Sequence, residues 1–420
     1  MSSPLVIKFG GDALAVPERI ALAARRVARR LERSPVVAVA SARRGVTDHL
    51  LGLVEQVKED TGFEDIDTEG LAAASDRAVA AGELVSASLL AVALNRLGVR
   101  AQVLDARQAG LHSDGEWTRA QLTRVRPDRI TRMLRRGVTP VVTGFQGWHR
   151  GQVTTLGRGG SDTSAVALAA ELGAPECELV KHAGGLFTAD PKVVPDARHI
   201  PRASHRFLSR LAEAGAKVMA LRAAVLAERK RLALRLTSLE DESLTSRVSA
   251  EESVEVRAVA SRAGYHRFTA LAPARFAAEN RPAFTAAVRS AGLHAELEAV
   301  PTESGSRLEL LVDPGDLEPV LKLARRLAPA SRGFALVETG VSSVTVVGER
   351  LSPNFQAHLP HSSGARPFAV SPSALSFLMP DGAAVSLVRS LHRALFGSAA
   401  AALETGSPLQ PQQARIYVGY

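Results

Sequence analysis

The chain has 420 residues, more than one ordinary domain holds, and 46% of them are apolar, enough for two or three domains each to bury a core. Its single cysteine, Cys177, excludes an intramolecular disulfide and fits a reducing compartment. The net charge of +9 invites a polyanion, yet the arginine doublets (Arg25–Arg26, Arg29–Arg30, Arg135–Arg136, Arg325–Arg326) fall mostly on polar faces of expected helices without interleaved aromatics, which argues against nucleic acid.

The N-terminus has no basic stretch leading into an apolar one, and no uninterrupted apolar run reaches the ~18 residues of a membrane span, so a cytoplasmic protein without membrane contact is expected. In chain order, Leu5–Phe9 reads as a strand ending in Gly10-Gly11, and Pro17–Leu31 as a helix. Pro35–Ser41 is a buried-strand run, followed by a helix over Asp48–Val57. Strands over Val99–Leu104, Thr139–Thr143, Cys177–Val180 and Leu232–Leu236 alternate with helices over Ala81–Leu97, Asp162–Leu172 and Ala216–Glu228. Such alternation predicts an α/β fold, a doubly wound, mainly parallel three-layer sheet whose ligands sit at the carboxyl ends of strands.

Thr237–Glu252 is polar and arrhythmic and reads as a linker. Beyond it, strand Thr269–Leu271, helix Phe276–Leu293, strands His294–Val300 and Leu308–Val312, helix Leu317–Leu327 and strand Gly333–Glu338 give the order βαββαβ of a ferredoxin-like unit. A second copy begins at Val341, with strands at Val344–Val347, Phe368–Val370 and Leu375–Leu378 and a helix at Ala384–Phe396. Its first helix should fall in Ser352–Ser363, which has two prolines and little periodicity; Ile416–Val418 is a candidate edge strand, and Gly397–Gln413 reads as a loop. The expected domains are therefore 1–240, 253–340 and 341–420.

Lysine is rare, at positions 8, 58, 181, 192, 217, 230 and 322 only, so each lysine in a motif is informative. Lys8-Phe9-Gly10-Gly11 places an ammonium beside a turn where backbone can approach an anion. Thr155-Leu-Gly-Arg158-Gly-Gly-Ser161-Asp162 opens an alanine-rich helix: glycines expose backbone N–H groups, Ser161 or Asp162 is placed to cap, and Arg158 offers a fork for a carboxylate or phosphate. Ser41 to Thr47 follows a buried strand and serves either to bind substrate or to cap the next helix. Glu83, in Gly82-Glu-Leu-Val-Ser86, and Lys217, in Gly215-Ala-Lys, read as first-turn residues, the lysine in a position the helix dipole disfavours unless an anion is near. The set points to phosphoryl transfer to a small carboxylate, which needs cations, backbone donors and a fork for the acceptor.

In motif order and spacing the first domain resembles aspartate kinase, a member of the amino-acid-kinase superfamily. The resemblance rests on Lys8–Gly11, Ser41–Asp48, Gly82-Glu83 with Ser86, Gly144-Phe-Gln-Gly147, Thr155–Asp162, Thr188-Ala-Asp-Pro191 and Gly215–Lys217. It implies ATP with Mg²⁺ and an aspartate-like acceptor converted to an acyl phosphate. Lys8 and Asp162 would act at the phosphoryl group, and Ser41, Thr47, Glu83, Arg158 and Ser161 would hold the amino acid. Gly10, Gly11, Lys181, Phe187, Lys192 and Lys217 would face the nucleotide; no protein metal site is implied. The tail resembles that family's paired ACT domains, implying an amino-acid effector and a homodimer.

The departures sit on the nucleotide side. Asp12-Ala13 replaces Thr-Ser after the glycines, putting a carboxylate where a phosphate would be repelled without a cation between them. Lys181-His-Ala-Gly184-Gly-Leu-Phe187 replaces Thr-Asp-Val-Asp-Gly-Val-Tyr, Lys192 replaces an arginine, and Ala220-Leu221 replaces His-Pro. After Gly348 the Gly-x-x-Met of the second ACT unit is absent. The competing expectation is therefore a catalytically altered homologue that binds an amino acid and acts on a partner protein.

Overall fold

The computed structural model describes residues 3–59, 67–182, 184–250, 257–272, 276–302, 305–327, 333–349, 351 and 365–397. The chain divides into two compact units: Met1–Leu186 with Pro201–His205 and Val218–Glu252, and Phe187–Ile200 with Arg206–Lys217 and Ser253–Tyr420.

The first unit begins with β1 (Leu5–Phe9), α1 (Pro17–Leu31), β2 (Val36–Ala40), α2 (Val46–Glu59), α3 (Thr68–Arg96) and β3 (Ala101–Leu104). Then come α4 (Ala106–Ala109), β4 (Leu111–Ser113), β5 (Leu122–Val125), α5 (Asp128–Arg135), β6 (Thr139–Thr143), β7 (Gln146–His149) and β8 (Gln152–Thr155). Next are α6 (Gly160–Glu171) and β9 (Glu176–Lys181); β10 (Leu186–Phe187) ends this stretch, β11 (His199–Ile200) belongs to the second unit, β12 (Arg202–Ser204) to the first, and α7 (His205–Glu213) almost wholly to the second, after which α8 (Leu221–Lys230), β13 (Ala233–Ser238) and β14 (Ser246–Ser249) return to the first.

Eight strands form one sheet in the order β12-β14-β13-β9-β1-β2-β6-β3, parallel from β13 to β3. Alternation along β1 sends Ile7 and Phe9 into a core with Val27 of α1 and Leu90 and Leu94 of α3, while Lys8 faces the other side, where α6 lies. A strand buried on both faces has no polar rhythm, which is why β2 is apolar from end to end. Strands β5-β4-β7-β8 make a second, four-stranded sheet.

Three expectations need correction here. Thr237–Glu252 is not simply a linker, because β14 pairs antiparallel with β13 through Leu234↔Val248 and Leu236↔Ser246. Four residues with one buried valine and two serines are too short and too polar to betray a strand. Arg26 is not on a solvated face: it is 1% exposed, with Nε donating to Glu178 at 2.6 Å and the guanidinium also reaching the Ser238 carbonyl at 2.6 Å. The helix expected from Ala216 starts at Leu221, so Lys217 lies exposed in the preceding turn, and its first-turn electrostatics do not apply.

Helix α3 spans 29 residues and has the length and hydropathy of a membrane span, but half of its apolar window is buried within the protein. It also carries the buried acids Asp76 and Glu83, the pattern of a core helix.

The second unit contains β15 (Arg257–Ala272), α9 (Phe276–Ala291), β16 (Ala295–Thr302), β17 (Gly305–Val312), α10 (Leu317–Leu327), β18 (Ala335–Gly348), β19 (Arg366–Ser371), β20 (Ala374–Pro380) and α11 (Ala384–Phe396). Its six-stranded antiparallel sheet runs β16-β17-β15-β18-β20-β19. The first four strands, with α9 and α10, are the expected βαββαβ unit. The expected boundary at Gly340/Val341 falls inside the continuous strand β18, near register shifts against β15 around Tyr265. Arg257–Arg262 of β15 pair with Ser343–Gly348, so the start of this unit also flanks the second copy's first strand. The helix expected in Ser352–Ser363, the edge strand Ile416–Val418 and the loop beyond Gly397 lie outside the described residues.

Candidate active site

At the carboxyl ends of β1, β2, β6 and β9 the first unit gathers the motif residues. After β1, the Gly10 amide donates to the Val180 carbonyl at 3.2 Å, tying the turn to β9. A side chain on Gly11 would stand 2.7 Å from the Ala42 carbonyl, and the Arg44 amide donates to the Gly11 carbonyl at 3.2 Å, so the loops after β1 and β2 are strapped together. Asp12 sits in this strap 3.2 Å from the Arg44 guanidinium. The cation that this departure requires is thus supplied locally.

Helix α6 is preceded by Gly159 in the left-handed region (φ 72°), without a side-chain cap, so the capping expected of Ser161 or Asp162 is not made. Asp162 instead faces β1 and β9. Lys8 Nζ lies 2.7 Å from Oδ1, an ionic contact rather than an aligned hydrogen bond, and Lys181 Nζ donates to Oδ2 at 2.5 Å. Burial would raise the Asp162 carboxyl, but Lys181 and Lys8 hold it well below the usual carboxylate range. Lys181 is pushed down to about 8, by burial first and then by the Lys8 ammonium, against the pull of Asp162. Two ammoniums on one carboxylate leave an excess positive charge.

Glu83 enters from α3, 3% exposed, with Oε1 accepting the Ala42 amide at 3.0 Å and Oε2 buried without a partner. Burial raises it to about 7, opposed by the Ala42 N–H and by Lys8. Ser41 donates its amide to the Phe9 carbonyl at 3.1 Å; Ser41 and Thr47 are half-buried at the β2–α2 turn. Ser161 is buried beneath Gly144, where a Cβ would come 2.7 Å from that of the serine. Arg158 is exposed between Gly157 (φ 68°) and Gly159.

Sequence reasoning missed the residues that hold this turn. Asp76 is 1% exposed and accepts the Thr155 amide at 2.7 Å, the Thr155 hydroxyl at 2.8 Å and the Thr118 amide at 3.0 Å. From α8, Arg222 reaches the Ala120 and Leu156 carbonyls at 2.9 and 3.1 Å. Neither residue stands in a glycine-rich motif, so nothing local marked them. Phe145 takes a left-handed φ of 68° in Gly144-Phe-Gln-Gly147, with its amide on the Ser164 hydroxyl at 3.2 Å.

The other residues expected to face the nucleotide belong to the second unit. Phe187 meets His199 edge-on at 5.5 Å, and Lys192 and Lys217 are exposed. Thr188 is buried there, its hydroxyl 2.8 Å from His392 Nε2 of α11, a pairing that no sequence motif announced.

A parallel α/β sheet with a lysine–aspartate–lysine cluster and glycine turns at its carboxyl edge defines the class as a phosphotransferase of the amino-acid-kinase fold. The model of the "Amino acid kinase family" matches residues 3–238. Similar curated proteins are the aspartokinase of Geobacillus stearothermophilus, 31% identical over 94% of this chain and 97% of the relative, and that of Mycolicibacterium smegmatis, 39% identical over 56% and 54%. Among solved structures, E. coli aspartokinase III in complex with aspartate and ADP matches with a TM-score of 0.77 at 23% identity, covering 93% of this chain and 99% of the other. Its complex with lysine and aspartate matches at 0.63 and 24%, covering 94% and 100%. The chain belongs to the amino acid kinase family and, within it, to the aspartokinases.

Proposed function

We propose that the protein transfers the γ-phosphoryl group of ATP to the side-chain carboxylate of aspartate, forming an acyl phosphate. The observation that carries this reading is the buried Lys8–Asp162–Lys181 cluster in the same sheet-end site as Glu83, whose second oxygen has no partner. The cluster suits an anion, and the bare Glu83 oxygen suits the substrate ammonium. Arg158, exposed on its glycine turn, takes the α-carboxylate as a fork; Ser41, Thr47 and Ser161 line the acceptor side. Gly10 and Gly11 bring backbone close to the phosphates.

Among the described residues no group of three or more His, Cys, Asp or Glu side chains is placed to hold a metal. Both Asp162 oxygens face lysines and Asp12 faces Arg44. These residues do not form a magnesium site, so Mg²⁺ is assigned to the nucleotide as part of that substrate. The reading of a non-catalytic homologue is not favoured, since the acidic positions lost beside Lys181 are matched by a new cation on Asp162.

We further assign residues 1–240 to catalysis and 253–340 and 341–420 to amino-acid effector binding in ACT-like units, in a cytoplasmic homodimer. The direct test incubates the full chain with ATP–Mg²⁺ and aspartate and traps the product with hydroxylamine. Aspartyl hydroxamate and ADP in equal amounts are expected; ADP without hydroxamate, or neither, would sink the assignment.

A further inference from the structure

Lys181 has no counterpart in the aspartate-kinase pattern, which has threonine there, and the structure gives it a definite place. It ends β9 one residue beyond Val180, whose carbonyl accepts the Gly10 amide, so its backbone adjoins the glycine turn. Its ammonium and that of Lys8 take opposite oxygens of Asp162, at 2.5 and 2.7 Å. Neither lysine makes another ion pair among the described residues, and their side chains are only 19% and 8% exposed. A single structural salt bridge needs one lysine. A second ammonium in a largely buried cluster repels the first and costs free energy unless an anion completes the set.

We propose that Lys181 is a catalytic residue of this chain, contacting the transferring phosphoryl group together with Lys8, while Asp162 holds the two ammoniums in place. The inference rests on the phosphotransferase reading above and extends it. In the step, a carboxylate oxygen of the acceptor forms the new bond to Pγ, and the bond from Pγ to the β–γ bridging oxygen breaks with its electron pair leaving on ADP. The acceptor is already ionised, so the step moves no proton. Charge spreading over the equatorial oxygens of Pγ is what they neutralise. Ammonium groups from β1 and β9 thereby supply charge on the side where the family's acidic residues are missing.

The test uses the full chain, a β,γ-imido analogue of ATP, and ADP, with binding read by calorimetry in the wild type, Lys181→Gln and Lys181→Arg. A contact to the terminal phosphoryl predicts that the wild type prefers the triphosphate analogue to ADP. Lys181→Gln then loses about tenfold or more of its triphosphate affinity, with ADP affinity within about threefold of wild type. Lys181→Arg retains most of the preference, which separates lost charge from a damaged fold. In turnover, Lys181→Gln lowers kcat by about 10²–10³-fold, with KM for aspartate within about threefold. Equal binding of the analogue by wild type and Lys181→Gln overturns the proposal, as does wild-type kcat in that variant; either leaves the aspartate kinase reading standing. A wild type that makes no aspartyl phosphate yet shows the Lys181-dependent triphosphate preference sinks the acceptor assignment and supports the phosphoryl contact.

Discussion

Asp162 and Glu83 are both almost fully buried carboxylates at the same end of one sheet, yet their protonation runs in opposite directions. Asp162 has an ammonium on each oxygen and is held ionised, whereas Glu83 has one backbone N–H, a bare oxygen and a pKa near 7. Burial is common to both, so the number of cations within contact distance decides the charge state. The first group is built to present positive charge to an anion. The second is poised to accept a cation, and below about pH 7 it is driven to ionise when one arrives.

Removing the carboxylate that holds the two lysines should have the largest effect. Asp162→Asn leaves Lys8 and Lys181 repelling each other, and turnover should fall about 10³-fold or more, with a lower Tm. A loss below tenfold would mean that the cluster does not organise the reaction.

Glu83→Gln should weaken aspartate binding by about 30- to 300-fold, since the ammonium loses a charged acceptor in a dry site. The same variant sharpens the comparison through pH. The Glu83 pKa is raised in the folded state, so its stabilising contribution is complete below its ordinary value of 4.5 and is lost as pH rises through about 7. Without ligand at pH 8, Glu83→Gln should therefore melt at or above wild type, and that advantage should vanish below about pH 5. Aspartate binding to the wild type should release close to one proton at pH 6 and almost none at pH 8.5. Calorimetry in buffers of different ionisation enthalpy measures this; equal release at both pH values would disconnect Glu83 from the ammonium.

Asp76 gives a third state of a buried carboxylate, satisfied by backbone N–H groups and a hydroxyl instead of cations. Burial raises it despite those hydrogen bonds from Thr118 and Thr155. Asp76→Ala should cost about 2 kcal/mol in denaturant unfolding, because the buried Thr155 amide loses its acceptor. Loosening the turn before Arg158 should also raise KM for aspartate. The smallest effect belongs to Arg44→Ala. Its pair with Asp12 is largely exposed and contributes under about 1 kcal/mol to stability, but KM for ATP should rise several-fold as Asp12 is left beside the phosphate turn. An unchanged KM would place Asp12 away from the nucleotide.

The strands and helices that build the catalytic sheet were legible because each has one strong local signal. Leu5–Phe9, Pro17–Leu31 and Thr139–Thr143 have the expected bounds, set by apolar runs, a proline at a helix start and glycine turns. The glycine turns at the carboxyl end of that sheet were legible for the same reason. What failed were features defined by partners far along the chain. β14 exists only through pairing with β13, and Arg26 is buried only because Glu178, 152 residues away, receives it. Asp76 is important only because Thr118 and Thr155 fold back onto it.

By itself, then, the sequence determined the α/β alternation, the glycine turns and the residue types of a phosphoryl-transfer site, because periodicity and backbone freedom are local properties. Only the tertiary structure decided that Lys181 shares Asp162 with Lys8, that Arg44 answers Asp12, and that Glu83 keeps one oxygen bare. These are matters of electrostatics and burial, which depend on distance and on exclusion of water, and neither is fixed until distant segments pack together.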